Sequence, residues 1–297
     1  MSLWTRLRLI VDDPPPTSVF ELSPGGIAWA RLGRSVETGF RPLSADVLSV
    51  SPVRDNVQRP EQLLEAVREL APANGNRKRF RRAALILPDY CARVAVLDFD
   101  SFPSDRAEQL SLVRFRMKKT VPFDVESAMV SYHAQPAAGK KLEVVVAVVA
   151  LELVARYEAP FRATQFQPGF VTTSMLATLD LLPAPGLAVA AKLSEKVLTV
   201  AVTDSRRLKL LRCVELGEVT AEEVMTVLFP TFAYAEDEMA VLPSRLLLCG
   251  FGDLAEPVRA ECLAAFGVEA EPLGSRHGSP NASNAGLLGY LEGAQKV

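Results

Sequence analysis

Ser18-Val-Phe-Glu-Leu-Ser-Pro24-Gly25-Gly26-Ile-Ala-Trp-Ala-Arg-Leu32 is a pair of apolar runs around a tight turn, with glycines where positive φ is needed. Leu187-Ala-Val-Ala-Ala-Lys192-Leu-Ser-Glu195-Lys196-Val-Leu-Thr-Val-Ala-Val-Thr203 reads the same way, as two strands around a short polar turn. A third strand is expected after each hairpin, at Val47-Leu-Ser-Val50 and at 208–214. A helix then follows each. The first opens at Pro60, with Leu63, Leu64, Val67 and Leu70 at helical spacing; the second is capped by Thr220 and runs to about Phe229. Further strands at 83–87 and 245–249 and further helix complete the pattern. An order that occurs twice implies two related α/β lobes, and Pro183-Ala-Pro-Gly186 is the clearest linker between them.

The first repeat is interrupted. Ser104 or Asp105 caps a predicted helix to Lys119, stopped by Val121-Pro122-Phe123, because a proline disfavours helical geometry in the residue before it. A hairpin over about 129–135 and 143–150 and a helix over 152–164 follow, the last despite Pro160. The predicted organisation is an N-terminal arm (1–17), a first lobe (18–104), an inserted α-β-β-α subdomain (105–170), a connecting helix and linker (171–186) and a second lobe (187–297).

Composition narrows the function classes. With 49% hydrophobic residues in 297, the chain can bury a large core. The charge, −2 from 33 basic and 35 acidic residues, creates no field to gather nucleic acid or anionic lipid. The basic run Arg77-Lys-Arg-Phe-Arg-Arg82 lacks an aromatic stacking platform and reads as a solvated loop, so no nucleic-acid partner is expected. Cys91, Cys213, Cys249 and Cys262 are widely spaced in apolar contexts and read as reduced core residues; His133 and His277 have no cysteine nearby, so no metal is expected. No run reaches the roughly 18 apolar residues of a membrane-spanning helix. The arm, with Trp4, Leu7, Leu9 and Ile10 before Asp12-Asp-Pro-Pro-Pro16, lacks the features of a signal peptide. No Walker loop, Gly-x-Ser-x-Gly elbow or His-Glu-x-x-His motif occurs.

The segment 108–132, with Arg114-Phe-Arg116, Val121-Pro-Phe123 and Ser131-Tyr132, resembles the helix, Ile-Pro-Phe turn and following strand of the PilM family of type IV pilus assembly proteins. That family is itself similar to FtsA and actin. Leu248-Cys-Gly250-Phe-Gly252 resembles the superfamily's Gly-Gly adenosine loop, and Ala285-Gly-Leu-Leu-Gly289 its terminal helix. The resemblance implies an actin-like, ribonuclease H-like two-lobed fold whose nucleotide residues would be Glu21, Gly25, Gly26, Lys192, Gly250 and Gly252. The superfamily's two Asp-x-Gly phosphate turns are altered, since Glu21 is followed by Ser23-Pro24 and the second turn reads Ser194-Glu195-Lys196. Loss of the phosphate turns and their acids argues for a degenerate cleft without ATP or magnesium, and against catalysis.

The resemblance further implies a cytoplasmic scaffold of a type IV pilus or type II-like secretion platform, peripheral to the inner membrane through its partners. It would capture the cytoplasmic tail of a PilN-like membrane protein and contact other platform or motor proteins, with indirect membrane contact. The tail would lie between the first lobe and the inserted subdomain, with Val94, Val96, Leu110, Val113, Met117, Val121 and Phe123 as groove walls. The rivals are an ATP-binding actin-like ATPase or switch, which needs ATP and magnesium, and a sugar-kinase-like enzyme.

Overall fold

The computed structural model describes residues 16–71, 81–135, 142–184 and 186–294. The N-terminal arm before residue 16 and most of the basic run 77–82 lie outside the described residues.

Strands β1 (Ser18–Ser23), β2 (Gly26–Leu32) and β3 (Val36–Pro42) form an antiparallel meander. Helix α1 (Pro60–Leu70) then leads to β4 (Arg81–Leu87), which pairs parallel with β1 on one side and with β8 (Phe166–Thr173) on the other. The sheet order is β3-β2-β1-β4-β8. The second half repeats it: β9 (Leu187–Ser194), β10 (Val197–Asp204) and β11 (Arg207–Glu215) make the meander, helix α5 (Ala221–Met239) follows, and β12 (Arg245–Cys249) and β13 (Ala270–Pro272) add in parallel, giving β11-β10-β9-β12-β13. Identical order and strand sense in two sheets establish the expected pair of lobes.

The third strand of the first lobe lies earlier than predicted. Val36-Glu-Thr-Gly-Phe-Arg-Pro42 is a largely exposed edge strand without an apolar face, so alternation could not reveal it. Val47 and Leu48 instead plug the core from a loop that makes only the bridge Leu48–Val57 and is pinned where the Asn56 side chain accepts the Ser51 N–H at 2.9 Å. Helix α5 runs ten residues past its predicted end at Phe229: Pro230 sits inside it, and burial of Phe232 and Ala235 in the second-lobe core holds the continuation.

The insertion is real but differently bounded. Strand β5 (Ala92–Phe99), expected in the first lobe, pairs with β7 (Leu142–Ala150), which pairs with β6 (Ala128–Ala134), giving an antiparallel sheet β5-β7-β6. Helix α2 (Arg106–Met117), whose cap Asp105 accepts from the N–H groups of Ala107 and Glu108, covers one face. The closing helix α3 (Leu151–Ala163) leaves the module: Leu153, Val154, Tyr157 and Phe161 join the first-lobe core, so the subdomain is β-α-β-β over 92–150 rather than α-β-β-α over 105–170. The connecting segment also shifts, because β8 continues to Thr173.

Between the lobes, α4 (Ser174–Thr178) crosses α7 (Ala285–Ala294), while α6 (Ala255–Phe266) covers the far side of the second sheet. The crossing is tight because α7 presents glycines to α4: a Cβ on Gly289 would lie 2.1 Å from the Ala177 carbonyl oxygen, and one on Gly286 2.9 Å from Ser174 Cα. Gly289→Ala is expected to lower stability by about 1–3 kcal/mol through overpacking, despite alanine's better helix propensity. Gly217→Ala, where a Cβ meets nothing within 4 Å, is expected to change it by less than about 0.5 kcal/mol. Urea unfolding of the two variants checks the difference.

Candidate functional site

The cleft floor is a buried polar network built from both lobes. Glu21 on β1 and Asp89, in the short helical turn after β4, come from the first lobe; Lys192 on β9 comes from the second, and Ser174 opens α4. Lys192 Nζ donates to Asp89 Oδ2 at 2.9 Å and to Ser174 Oγ, and Ser174 Oγ donates onward to Glu21 Oε1. Each carboxylate also caps a helix of the crossing: Asp89 Oδ1 accepts the Met175 N–H at 2.6 Å, and Glu21 Oε2 accepts the Leu287 N–H at 2.7 Å. Helix N-termini favour anions, and here the protein's own carboxylates occupy them.

The electrostatics follow from one cation among two acids out of water. Burial pushes the Glu21 carboxyl above its usual 4.5, a push that Lys192, Ser174 and the Leu287 N–H offset only in part. Burial pulls Lys192 down, but Asp89 and Glu21 more than compensate and hold the ammonium above 10.5. A proton on Glu21 leaves the trio neutral. A serine hydrogen-bonded to a lysine invites comparison with a nucleophile and its base, yet this lysine keeps its proton and cannot deprotonate Ser174. The cavity lined by Glu21, Ser23, Asp89, Ser174 and Lys192 has a volume of about 20 Å3. That is the scale of one water molecule, whereas small-molecule pockets run from about 300 Å3 upward.

Of the predicted nucleotide residues, the structure brings Glu21 and Lys192 into this one network. Gly25 and Gly26 form the β1–β2 turn, where a Cβ on Gly26 would lie 2.4 Å from the Arg41 carbonyl oxygen. Gly250, at φ +80°, lets its backbone approach the Leu193 carbonyl, and Gly252 stands in open space. Asp89 and Ser174 escaped sequence reasoning. Their signal was position: each is a polar residue just past the C-terminal end of a parallel strand, β4 or β8, the end at which α/β sheets place ligand-facing groups. Burial pushes the Cys213 and Cys249 thiols up to about 12 and Cys262 to about 11, and none of the four cysteines is in a disulfide. Among the described residues, no group of three or more His, Cys, Asp or Glu could hold a metal, and no helix is long and apolar enough to cross a membrane.

The second feature is a largely apolar groove of about 440 Å3 between the first lobe and the inserted subdomain. Ala147 and Val149 of β7 lie in it, flanked by β6 at Met129–Ser131 and β8 at Phe170–Thr173. Both are edge strands, so each has backbone N–H and C=O groups without a strand partner. Met129 is 44% exposed and Phe170 45%. This cavity and the expected groove walls share few residues. Of the seven proposed wall residues only Leu110 lines it. Val113 and Met117 are fully buried in the subdomain's own core, with Val121 and Phe123 packed against that core. Val94 and Val96 pack instead in the layer between the subdomain and the second lobe.

Two stability tests follow from the network. Lys192→Met leaves two buried acids without their cation and is expected to cost about 3–5 kcal/mol, much of it recovered when Glu21→Gln and Asp89→Asn are added. Glu21 binds its proton more tightly in the folded state, so its contribution is full below pH 4.5 and is lost as pH rises through the folded value. Wild-type stability relative to Glu21→Gln should therefore increase as pH falls from 8 towards 4.5, measured by urea unfolding at each pH.

No family model matches the chain, and no curated protein matches it in sequence. Solved structures match it in shape. The PilM-PilN type IV pilus biogenesis complex gives a TM-score of 0.66 at 15% identity, covering 88% of this chain and 88% of that one. A Bacteroides thetaiotaomicron protein with an actin-like ATPase fold and unknown function gives 0.56 at 11% identity over 91% and 94%. The cytoplasmic domain of EpsL, an inner membrane component of the type II secretion system of Vibrio cholerae, gives 0.54 at 15% identity over 94% and 94%. Together with the duplicated sheet order, these likenesses show that the chain has the two-lobed actin-like fold.

Proposed function

We propose that this protein is a non-catalytic adaptor that captures an extended peptide segment of a membrane-protein partner in the groove between its first lobe and inserted subdomain. The observation that carries the reading is the apolar groove bordered by two edge strands, which offers backbone pairing along its walls and pockets for alternate side chains. The solved complex that resembles this chain joins PilM to PilN, and EpsL is an inner membrane component, so the proposed partner is the cytoplasmic tail of a PilN-like protein in a pilus or type II-like secretion platform. On this reading the protein works in the cytoplasm and reaches the membrane through its partner.

The same reading assigns the interlobe network a structural role. A nucleotide entering the cleft would have to displace Glu21 and Asp89 from the two helix N-termini and strip Lys192 of its acids. We therefore expect no role for ATP or magnesium.

Titration of purified protein with cytoplasmic-tail peptides of single-span proteins encoded beside it tests the reading. One tail should bind with a dissociation constant in the micromolar range, and Phe170→Asp should weaken it at least about tenfold while the protein stays folded at the assay temperature, since Phe170 is half exposed and its ring packs only against Tyr290 at 5.7 Å among the aromatic contacts of the described residues. Failure of every tail would overturn it. Calorimetry with ATP and magnesium should give no heat beyond dilution, whereas micromolar binding with hydrolysis would restore the nucleotide-switch alternative.

A further inference from the structure

The groove is largely apolar, and one charged side chain is among the residues that line it. Arg114, on the third turn of α2, lines it beside Leu110; its side chain is 28% exposed, and its buried Nε has no hydrogen-bond partner among the described residues. Its one ion-pair neighbour among the described residues is Glu126, whose Oε2 lies 3.6 Å from Nη1 and whose side chain is 66% exposed, so that acid leaves the Nε side of the guanidinium unserved. A buried donor on a charged group costs stability when left unsatisfied. Guanidinium presents Nε and the adjacent Nη as a planar fork that matches the two oxygens of a carboxylate.

We infer that the groove selects a peptide carrying an Asp or Glu among apolar residues, with its carboxylate seated on Arg114. This rests on the peptide-capture reading and adds what that reading lacks, the chemistry of the partner. The apolar neighbours of the acid enter the surface around Met129, Phe170 and Leu176, while the carboxylate meets the exposed part of the guanidinium, which Glu126 at 3.6 Å holds only loosely. A backbone carbonyl could meet only one arm of the fork and would carry no sequence preference.

The test is selection of a phage-displayed random dodecapeptide library on the wild-type protein and on Arg114→Gln, whose folding is confirmed by its melting temperature. Wild-type selection is expected to enrich Asp or Glu at a fixed spacing from apolar residues, and the Gln variant to retain the apolar residues and lose the acid. In a peptide so selected, replacing the acid with its amide should weaken binding to wild type about ten- to hundredfold and leave binding to Arg114→Gln unchanged. Apolar peptides without a fixed acid, or the same acid selected by both proteins, would overturn this inference and leave peptide capture standing. A library yielding no groove binder, judged by competition with Phe170→Asp, would remove both.

Discussion

Lys192 is 3% exposed, and a cation so buried must be met by acids or it cannot be folded in at all. Both acids in the network come from the first lobe and the cation from the second, so neutralisation requires the lobes to close on each other. The partners are also geometrically restrictive. Asp89 and Glu21 each spend one oxygen on a helix N-terminus and the other on the lysine or its serine relay, which fixes α4 and α7 relative to both sheets. The glycine face of α7 completes the joint by letting two backbones meet where side chains would hold them apart. Apolar burial supplies much of the adhesion, but the charge arrangement specifies one relative placement.

That placement bears on the groove because the inserted subdomain touches both lobes. Strand β5 packs Val94 into the layer shared with the second lobe, and the Gln135 side chain exchanges two hydrogen bonds of 2.8 Å with the backbone of Leu208, as a strand neighbour would. Lys209 pairs with Glu143 beside it. The subdomain is thus clamped at its far side while β7 runs directly into α3 of the first lobe. A hinge between the lobes would drag β6 past β8 and change the groove width. The interlobe network opposes such a motion, and in the peptide-capture proposal a groove held preformed in this way reduces the ordering cost of binding a flexible segment.

What the sequence disclosed and what it hid divide along physical lines. The two hairpins, the helices at Pro60, Asp105 and Thr220, and the repeat itself were legible because buried strands and amphipathic helices write their burial into residue spacing. Strand β3 was hidden because it buries no face, and the continuation of α5 because a local rule about Pro230 was overruled by the burial of Phe232. The membership of β5 and α3 was illegible for another reason. Both are apolar elements at a module boundary, and spacing reports that an element is buried without naming the core that buries it. At the site, Glu21 and Lys192 were found through the turns they flank, whereas Asp89 and Ser174 gain their roles only from contacts with residues far away in the chain. The groove walls were not legible at the level of side chains: the apolar residues of α2 that looked available, Val113 and Met117, are the ones its own core consumes, and no residue of 93–99 lines the groove.

The position of the groove also follows from sheet economics of a simple kind: every open sheet has two edges, and an edge left bare invites unwanted pairing. In β8 the first part of the edge carries Pro168, which has no N–H, and the register shifts around Gly169, so regular pairing is discouraged there. Past the irregularity, Phe170–Thr173 is a regular edge, but it faces the subdomain across a narrow apolar channel with β6 on the other side. The inserted subdomain therefore shields this edge of the first lobe much as a covering helix does elsewhere, and in the peptide-capture proposal the shielded edge is one wall of the binding surface.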